Sequence, residues 1–547
     1  MNEPSNDLTE NQIKILKKFV TNVSGNIFAL RNLPEVIKGA LFSRYSRSYL
    51  GLKELLLKEF ILNDEVAFSE IVGSSSDKNP EAQSLAIHKA QNFYDRILDG
   101  YGDDSIGELG GAHLALENIS MIAAKEVEDK RIGGSPLEKS TRYIYFDKKT
   151  DGQYAFYREP IIMTSAYKNL YVDTCNLLFD TYSQLIPKLT EVIEKTFPQE
   201  GHISQAAYKA ALRAKVLDCL RGLLPASTLT NMGVYGNGRF FEALLQSLQI
   251  NNLTELQETG KSAFTELSKI IPSFVRRADT KHKYFQTFAQ FQEQMHNDLK
   301  LLSEAHEEQL TIEKEPGVFL VHHDPDCIAK IAGALLFDHS SSNLYDLQQY
   351  CLNLPEEELS RILDAACLSR ENRRHKSPRA LEHAFFTFEI IADFGIYRDL
   401  QRHRMLTQSR QLLTCNYGYY IPSEIKDTDM EKPYIEAMEK AKEAYDQIAA
   451  ELPEEAQYIV PMAYNLHWYF HVNLRALQWL CELRSSPAGH PMYRRVAQEM
   501  ARQVCEVYPA LERFFKFVDY DGYDLGRMDQ EIKKEAKLKR LSAEELT

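Results

Sequence analysis

The chain has 547 residues, of which 44% are hydrophobic and 26% are charged. This length indicates two or three domains, and the composition is typical of a globular protein that buries a core. The formal net charge of −14 argues against a general nucleic-acid binder, because such proteins need a basic face to displace counterions from phosphates. Any phosphate site must therefore be a local basic pocket.

The sequence carries no obvious targeting or membrane signal. Its first residues, MNEPSNDLTENQ, are polar and acidic, and lack the charged-then-apolar order of a secretory signal. The sequence contains no run of about 18 to 20 apolar residues, which argues against a membrane span. The eight cysteines are scattered without a Cys-x-x-Cys pair, so reduced and mostly buried thiols are expected. We expect a cytoplasmic protein without a membrane or nucleic-acid partner.

Helical periodicity dominates the chain, with apolar residues recurring every three to four positions. The predicted elements are, in chain order, a helix at 112–130, a strand at 140–146, a polar and acidic linker at 296–314, a strand at 317–323, a helix at 383–401, a strand at 412–421, a helix at 471–484 and a solvated helical tail from 531. This balance predicts the α+β class with helix in excess.

An internal repeat decides the architecture. The segment from Asp104 to Ala112 aligns with the segment from Lys376 to Ala384 at a constant separation of 272 residues. The alignment continues without a gap until Lys130-Arg131-Ile132 lies under Arg402-His403-Arg404. We therefore predict two diverged copies of one domain.

A second correspondence supports the duplication. Pro225 precedes Asn237 by twelve residues, and Pro461 precedes Asn473 by the same interval. In both places the asparagine begins an Asn-x-Arg sequence. The predicted copies are 1–295 and 315–547, which the linker 296–314 separates.

Arg402-His403-Arg404 is a candidate phosphate or pyrophosphate site. Arginine binds such oxyanions in a bidentate manner, and an imidazole adds a further donor. A basic turn that neutralises the negative end of a helix dipole is the alternative interpretation. The surrounding sequence distinguishes the two.

The C-terminal half resembles the flavin-dependent thymidylate synthases, over roughly residues 315 to 520. The signature of that family is Arg-His-Arg-x7-Ser, preceded by a Pro-x-x-Glu-His-type segment and followed by Asn-x-Arg and Leu-Arg. The matching residues here are Pro378, Glu382, His383, Arg402, His403, Arg404, Asn473, Arg475, Leu483 and Arg484. The resemblance implies two α+β domains of this family's type, helix-rich with a small antiparallel sheet in each.

The two copies depart from the family pattern at complementary positions. In the C-terminal copy Leu412 stands at the signature serine, Arg410 at the preceding acidic position and Thr414 at the following arginine. The N-terminal copy keeps that loop as Glu138, Ser140 and Arg142. It also keeps Arg221, whose counterpart in the C-terminal copy is Gln457. It has lost the basic triplet, and it has Gly111 in place of the family's histidine and Leu248 in place of the arginine of the Leu-Arg pair.

These complementary losses suggest one divided active site. Family members are homotetramers whose sites combine side chains of several subunits, so a fused pair needs to preserve only one kind of composite site. We expect the Glu138–Arg142 loop and Arg221 to meet Arg402, His403 and Arg484 across a domain or subunit boundary. We also expect the chain to form a homodimer, which would be a pseudo-tetramer of copies.

The resemblance implies the conversion of dUMP to dTMP, with methylenetetrahydrofolate as carbon donor and NADPH-reduced FAD as hydride donor. Arg484 would be catalytic, as a cation at the uracil edge. The implied dUMP-binding residues are Glu138, Ser140, Arg142, Arg221, Gln401 and Arg402. The implied FAD-binding residues are His383, Arg402, His403, Arg404, Asn473 and Arg475.

Several alternatives stay open. His383 could be a core histidine, Arg484 a helix-surface arginine, and His490 could serve either role. His322-His323 with Asp324 and Asp326 is interpreted as a turn, and no metal is predicted. The chain could also be a pseudoenzyme that binds FAD or nucleotide in a regulatory role, or a helical scaffold without ligands.

Overall fold

The structure is a computed structural model that describes residues 8–61, 104–307, 315–522 and 525–544. The chain separates into two compact units. The first comprises Met1–Glu117, Glu126–Glu138 and Asn231–Thr311, and the second comprises Asn118–Lys125, Lys139–Thr230 and Ile312–Thr547. A long segment of the N-terminal copy therefore belongs to the same unit as the C-terminal copy.

Helices form most of the regular structure of the described residues. They are, in chain order, α1 (Glu10–Phe19), α2 (Glu35–Tyr45), α3 (Leu52–Leu55), α4 (Met121–Asp129), α5 (Pro160–Thr164), α6 (Lys168–Thr196), α7 (Gln205–Leu220), α8 (Gly238–Gln249), α9 (Thr254–Leu267), α10 (Pro272–Val275), α11 (Lys283–Glu307), α12 (Cys327–Phe337), α13 (Leu344–Leu352), α14 (Glu356–Ala365), α15 (Phe394–Leu400), α16 (Glu431–Ala449), α17 (Leu474–Arg484), α18 (Pro491–Val507) and α19 (Met528–Glu544). None of them is both long enough and apolar enough to span a membrane.

The strands form one small sheet in each copy. They are β1 (Gly111–Ser120), β2 (Gly134–Glu138), β3 (Leu229–Asn237), β4 (Gly317–His323), β5 (Phe385–Asp393), β6 (Thr407–Arg410) and β7 (Asn465–Asn473). The strand orders are β1-β3-β2 and β4-β5-β7-β6, and every pair whose register is known is antiparallel. The predicted α+β class, with a small antiparallel sheet in each copy, is confirmed.

The structure repeats where the sequence repeats. A shift of 272 residues places β1 on β5 and α4 on α15, and it places β2 on β6. A shift of 236 residues, the interval from Pro225 to Pro461, places β3 on β7 and α8 on α17. The predicted duplication therefore extends from single residues to whole strand–helix units.

The two aligned prolines pair with each other in the second unit. Pro225 and Pro461 form an antiparallel bridge. The amide N–H of Ala226 donates to the carbonyl of Val460 at 2.9 Å, and the N–H of Met462 donates to the carbonyl of Leu224 at 3.0 Å. When each residue is replaced by its counterpart 236 positions away, the first of these hydrogen bonds becomes the second and the second becomes the first. The copies thus meet here through a local pseudo-twofold contact, in which each surface pairs with its own counterpart.

A second pair of bonds obeys the same exchange. Ser227 N–H donates to the carbonyl of Tyr458 and Ala463 N–H donates to the carbonyl of Gly222, both at 2.9 Å. Gly222 permits this approach, because a Cβ atom there would lie 2.9 Å from the Cβ of Ala463. A side chain at this position would therefore force the paired segments apart.

Three predicted elements differ from the structure. The predicted helices at 112–130 and 383–401 begin as strands, β1 and β5, and become helical only at Met121 and Phe394. In β5 the side chains of Phe386, Phe388 and Ile390 are buried while the alternate ones are less so, which is the period of a strand. The predicted helix at 471–484 likewise begins at Leu474, after the end of β7.

Other predicted elements have mixed outcomes. The strand at 317–323 is β4, and the tail is helical as α19. The segments 140–146 and 412–421, predicted as strands, contain no strand. Part of the predicted linker 296–314 is helical, because α11 continues to Glu307, and 308–314 lie outside the described residues. The copy boundaries at 295 and 315 stay a prediction, since the compact units interleave the two copies.

Candidate active site

The loop after β2 brings Arg142 into the interior of the second unit. The guanidinium of Arg142 donates through two nitrogens to the two carboxylate oxygens of Asp218, both at 2.5 Å. Both side chains are more than nine-tenths buried. Ser140 stabilises the loop, because its hydroxyl accepts the backbone N–H of Arg142 at 3.2 Å. This pairing explains the missing strand at 140–146, since the buried ion pair outweighs the β propensity of Thr, Tyr and Ile.

Arg221 lies in the 3-10 turn that follows α7 and is also buried. One terminal nitrogen donates to Asp399 Oδ2 at 3.2 Å, and the other donates to the carbonyl oxygen of Gly395 at 3.1 Å. Both acceptors belong to α15, the short helix that precedes the basic triplet. An arginine of the N-terminal copy is thus fixed against the triplet of the C-terminal copy.

The triplet follows the C-terminal end of α15, as predicted from the sequence. Arg402 and Arg404 are exposed and His403 is half-buried. Arg484, the last residue of α17, donates through Nε to His403 Nε2 at 2.8 Å. His403 therefore is neutral with its proton on Nδ1, and burial together with the charge of Arg484 holds its pKa well below the ordinary value.

Tyr493 joins the two arginines from different copies. Its hydroxyl accepts a hydrogen bond from Arg142 at 3.2 Å. The guanidinium carbons of Arg142 and Arg484 lie 5.7 and 5.4 Å from the centre of its ring, within the range of cation–π attraction. Arg142 of the N-terminal copy and Arg484 of the C-terminal copy thus lie against the same ring inside one compact unit. We call Arg142, Arg221, Arg402, Arg484, Asp218 and Asp399 the arginine cluster.

The arginine cluster carries a net charge of +2, because four guanidinium groups face two carboxylates. Burial alone would raise the pKa of Asp399, but the charges of Arg221 and Arg402 hold it far below its usual range. Asp218 behaves in the same way, because the charge of Arg142 outweighs its burial and lowers its pKa. A group with two negative charges, such as a phosphate monoester, would balance the cluster.

Sequence reasoning missed both carboxylates and Tyr493. Asp218 and Asp399 each stand three residues before an arginine of the cluster, Arg221 and Arg402. An acid three residues before an arginine lies on the same helical face, so the repeated Asp-x-x-Arg spacing was the available signal. Nothing in the sequence marks Tyr493, which is one of 29 tyrosines.

His490, whose role the sequence left open, is buried beside the cluster. Its Nδ1 accepts the N–H of Met492 at 3.2 Å and caps α18, and its Nε2 lies 3.1 Å from the carbonyl of Asp218. A neutral ring with its proton on Nε2 satisfies both contacts. Burial, reinforced by the charge of Arg221, lowers the pKa of His490 to about 3.

This shift predicts a loss of stability in acid. Below about pH 6.5 the unfolded chain protonates this histidine while the folded chain does not, so stability falls until the pH approaches the folded pKa of about 3. The expected slope is roughly 1.4 kcal/mol per pH unit. His490→Asn keeps a capping acceptor and should reduce the slope by about that amount in urea unfolding between pH 6 and pH 4. An unchanged slope would contradict the assignment.

The predicted flavin residues gather at one end of the β4-β5-β7-β6 sheet. Asn473 pairs with Phe385, and His471 pairs with both Thr387 and Thr407 across β7. His383, two residues before Phe385, and Arg404, three residues before Thr407, therefore lie beyond the same sheet end. His383 is exposed, so the structure places it at the surface rather than in the core.

Asn473 and Arg475 have local structural partners. The side chain of Asn473 accepts the N–H of Ala476 at 2.9 Å and caps α17, as Asn237 caps α8. Arg475 donates to the carbonyl of Ser377 at 2.8 Å and to Glu382 at 2.7 Å. The shared position of the Asn-x-Arg sequence in both copies thus has a structural reason in the turn from strand to helix.

The caps can be separated from flavin binding. Asn473→Ala and Asn237→Ala should each lower the unfolding free energy by about 1 kcal/mol, and Asn473→Asp should keep the stability because aspartate also caps. If Asn473 contacts flavin, Asn473→Asp retains less FAD after dialysis while Asn237→Ala retains it fully. Equal FAD retention in both variants would leave Asn473 with the capping role alone.

The remaining predicted residues lie elsewhere. Gln401 is buried and its amide donates to the carbonyl of Lys125 at 3.0 Å. Glu138 is buried at the end of β2 in the first unit. Their nucleotide-binding roles stay predictions.

His322 and His323 are the last two residues of β4, so the predicted turn begins only after them, at Asp324–Asp326. His323 Nδ1 lies 2.9 Å from the hydroxyl of Tyr508, and Asp324 accepts the backbone N–H of Phe385 at 2.9 Å. Asp326 has a positive φ of 60°, which a tight turn requires. These contacts account for the polar side chains of the segment.

Comparison with known proteins identifies the class. The family model described as thymidylate synthase complementing protein (Thy1) matches the chain twice, over residues 64–273 and 319–510, and the chain belongs to this family. A UPF0159 protein of Chlamydia muridarum is 55% identical over 97% of this chain and 99% of its own length. A UPF0159 protein of Thermoplasma acidophilum is 32% identical over 91% of this chain and 99% of its own length.

More distant matches cover a length of this chain that corresponds to about one of the two copies. A flavin-dependent thymidylate synthase of Clostridium tetani is 28% identical over 36% of this chain and 85% of its own length. A crystal structure of the Helicobacter pylori flavin-dependent thymidylate synthase, complexed with FAD and dUMP, matches with 19% identity and a TM-score of 0.28. That match covers 38% of this chain and all of the other.

Proposed function

We propose that this protein is a flavin-dependent thymidylate synthase with one composite active site per chain. The observation that carries the proposal is the arginine cluster, in which Arg142 and Arg221 of one copy meet Arg402 and Arg484 of the other within a single unit. Membership of the Thy1 family supports the same reaction. The substrate would be dUMP, because the two negative charges of its phosphate would balance the net charge of +2 on the cluster.

The cluster's own groups suggest how dUMP would bind. Arg142 and Arg221 are held by Asp218 and Asp399, so their guanidinium planes are fixed before the substrate arrives. Fixed donors cost little ordering on binding. The Ser140 hydroxyl and Arg402 would add donors at the phosphate, and Arg484 would place its charge where the uracil ring becomes negative.

The residues at the sheet end suit FAD in their chemistry. Arg402 and Arg404 are exposed cations, His383 is exposed, and His403 is a half-buried imidazole, so the set offers several N–H donors to a pyrophosphate. When bound, FAD would supply the hydride, with NADPH as its reductant. The role of the chain is to hold and orient, since no side chain needs to act as a nucleophile.

In the proposed reaction, C5 of dUMP would lose its hydrogen as a proton and gain the methylene group of methylenetetrahydrofolate, whose bonds to the folate nitrogens would break to release tetrahydrofolate, and a hydride derived from NADPH would complete the methyl group. Arg484 would offset negative charge on the ring. Neutral His403 fixes the orientation of Arg484 by accepting its Nε proton. The predicted homodimer and the cytoplasmic location stay predictions.

The direct test is release of tritium from dUMP labelled at C5 by the purified full chain. We expect release that needs NADPH and methylenetetrahydrofolate together, and a protein that is yellow with bound FAD. Omission of either cosubstrate should reduce the release to background. Bound FAD without any release would overturn the proposal.

A nucleotide- or flavin-binding pseudoenzyme is the second candidate. It is favoured by the loss of the signature serine at Leu412 and by the two carboxylates that already pair with Arg142 and Arg221. Such a protein would bind dUMP and FAD but release no tritium. The same assay therefore distinguishes the two functions.

The control for Arg404 is taken from the equivalent triplet of the other copy, Lys130-Arg131-Ile132, in which Ile132 stands at the position of Arg404 and Lys130 at that of Arg402. Arg404→Ala should weaken FAD binding by about 10- to 100-fold, because a charge-assisted hydrogen bond to the pyrophosphate would be lost. Lys130→Ala should leave FAD binding unchanged. FAD titration followed by flavin fluorescence measures both, and equal effects of the two variants would contradict the assignment of flavin to the C-terminal triplet.

A further inference from the structure

A cavity of about 560 Å³ lies in the second unit, apart from the predicted ligand residues. It is bordered by the start of β4, the end of β5, the loop with Tyr419 and Tyr420, and one face of α18. This volume is enough for a mononucleotide-sized molecule. Neither the dUMP site nor the flavin site proposed above uses its walls.

Asp393 stands at the wall of this cavity and is 6% exposed. One carboxylate oxygen accepts the N–H of Ile396 at 3.0 Å and caps α15. The other oxygen, Oδ2, is buried and accepts no hydrogen bond from any residue that the structure describes. An unsatisfied buried acceptor destabilises the folded protein, so a ligand that donates an N–H to it would bind with a gain.

The other walls define the shape and charge of that ligand. Tyr419 and Tyr420 are half-buried aromatic side chains, and Met492 and Val496 of α18 line the cavity as apolar groups. Aromatic and thioether groups favour a flat ring. Arg495 is exposed and also lines the cavity, which suits an anionic tail at the mouth.

The N-terminal copy does not repeat the acidic group. The 272-residue shift places Met121 at the position of Asp393. The N-terminal copy caps the same strand–helix turn with Ser120, whose hydroxyl accepts the N–H of Ala123 at 3.0 Å. A neutral hydroxyl therefore suffices for the cap, and the second carboxylate oxygen of Asp393 is not needed for it.

We infer that this cavity binds a flat, amino-substituted nitrogen heterocycle with an anionic tail, whose amino group donates to Asp393. Two sources share this chemistry, an amino-bearing nucleotide and a pteridine with an acidic side chain such as folate; the second rests on the proposed function, in which methylenetetrahydrofolate is the carbon donor. No residue of the arginine cluster lines this cavity, but Asp393 directly precedes α15 and Asp399 of the cluster lies in the last turn of the same helix.

The test measures binding to the purified full chain by isothermal titration with adenosine, guanosine and inosine monophosphates and with tetrahydrofolate. Inosine monophosphate is the matched control, because it lacks the amino group of the other two nucleotides. We expect one amino-bearing nucleotide to bind about tenfold or more tightly than inosine monophosphate, or tetrahydrofolate to bind in its place. The ligand that binds identifies the source.

Three variants assign the binding to this cavity. Asp393→Asn keeps a capping side chain for α15 and should weaken binding by about tenfold or more. Met492→Trp fills the cavity without touching Asp393 and should also weaken it. Arg484→Leu, which the helix tolerates, should leave it unchanged. The inference is overturned if no compound binds at millimolar concentration, or if binding survives Asp393→Asn and Met492→Trp but is lost in Arg484→Leu.

Discussion

Arg142→Ala is expected to abolish tritium release and to lower the unfolding free energy by about 3–5 kcal/mol. The large stability effect follows from burial, because the variant leaves the carboxylate of Asp218 without its partner while both side chains are more than nine-tenths buried. The loss of activity follows from the position of Arg142 beside Tyr493 and Arg484. Urea unfolding and the tritium assay measure the two effects.

A compensated variant separates folding from function. Arg142→Met combined with Asp218→Leu removes both charges and should recover most of the stability, since an apolar pair of similar volume can replace a buried ion pair. It should not recover activity. Thr414→Ala, at the equivalent position of the C-terminal copy, should alter neither quantity. Activity in the compensated variant would show that Arg142 serves the fold alone.

Arg484→Leu is expected to lower the turnover number by about 100- to 1000-fold, the usual effect of removing one fixed group that stabilises developing negative charge. Leucine is the residue that the N-terminal copy has at this position, Leu248, so the helix tolerates it. KM for dUMP should change less than the turnover number. Steady-state dTMP formation distinguishes the two parameters.

Arg484→Lys is the control for charge alone. It keeps the cation but lacks the planar Nε donor that His403 accepts, so partial activity is expected. In Arg484→Leu the pKa of His403 should rise, because one of the two causes that depress it is removed. NMR titration of the imidazole measures this shift. Full activity in Arg484→Leu would exclude a catalytic role for the residue.

The repeat is the part of the fold that the sequence predicts well. Gapless alignment of residues 104–132 with 376–404 pairs the two strand–helix units, β1 with α4 and β5 with α15, at the correct separation. The type of element is harder to predict, because the sequence from Phe385 to Asp393 is so apolar that helical and strand periods both fit it. Its pairing with β7 on one side and β4 on the other decides the outcome.

The meeting of arginines from both copies is predictable in outline because the two copies lost complementary residues. The chemistry of these contacts is not predictable, because it depends on pairs that are distant in sequence. Arg142 and Asp218 are 76 residues apart, and Arg221 and Asp399 are 178 residues apart. A chain of apolar and charged residues does not indicate which carboxylate will neutralise which arginine. Only the folded chain reveals that the cluster retains a charge of two.

The pairing of Pro225 with Pro461 has a consequence for how activity depends on concentration. In an oligomer, a site shared between subunits disappears on dilution, because the subunits separate. Here the two copies are joined by the chain and by backbone bonds across their pseudo-twofold contact, so each remains at a high effective concentration near the other. Nucleotide binding per mole of chain should therefore hold constant on dilution from micromolar to nanomolar protein.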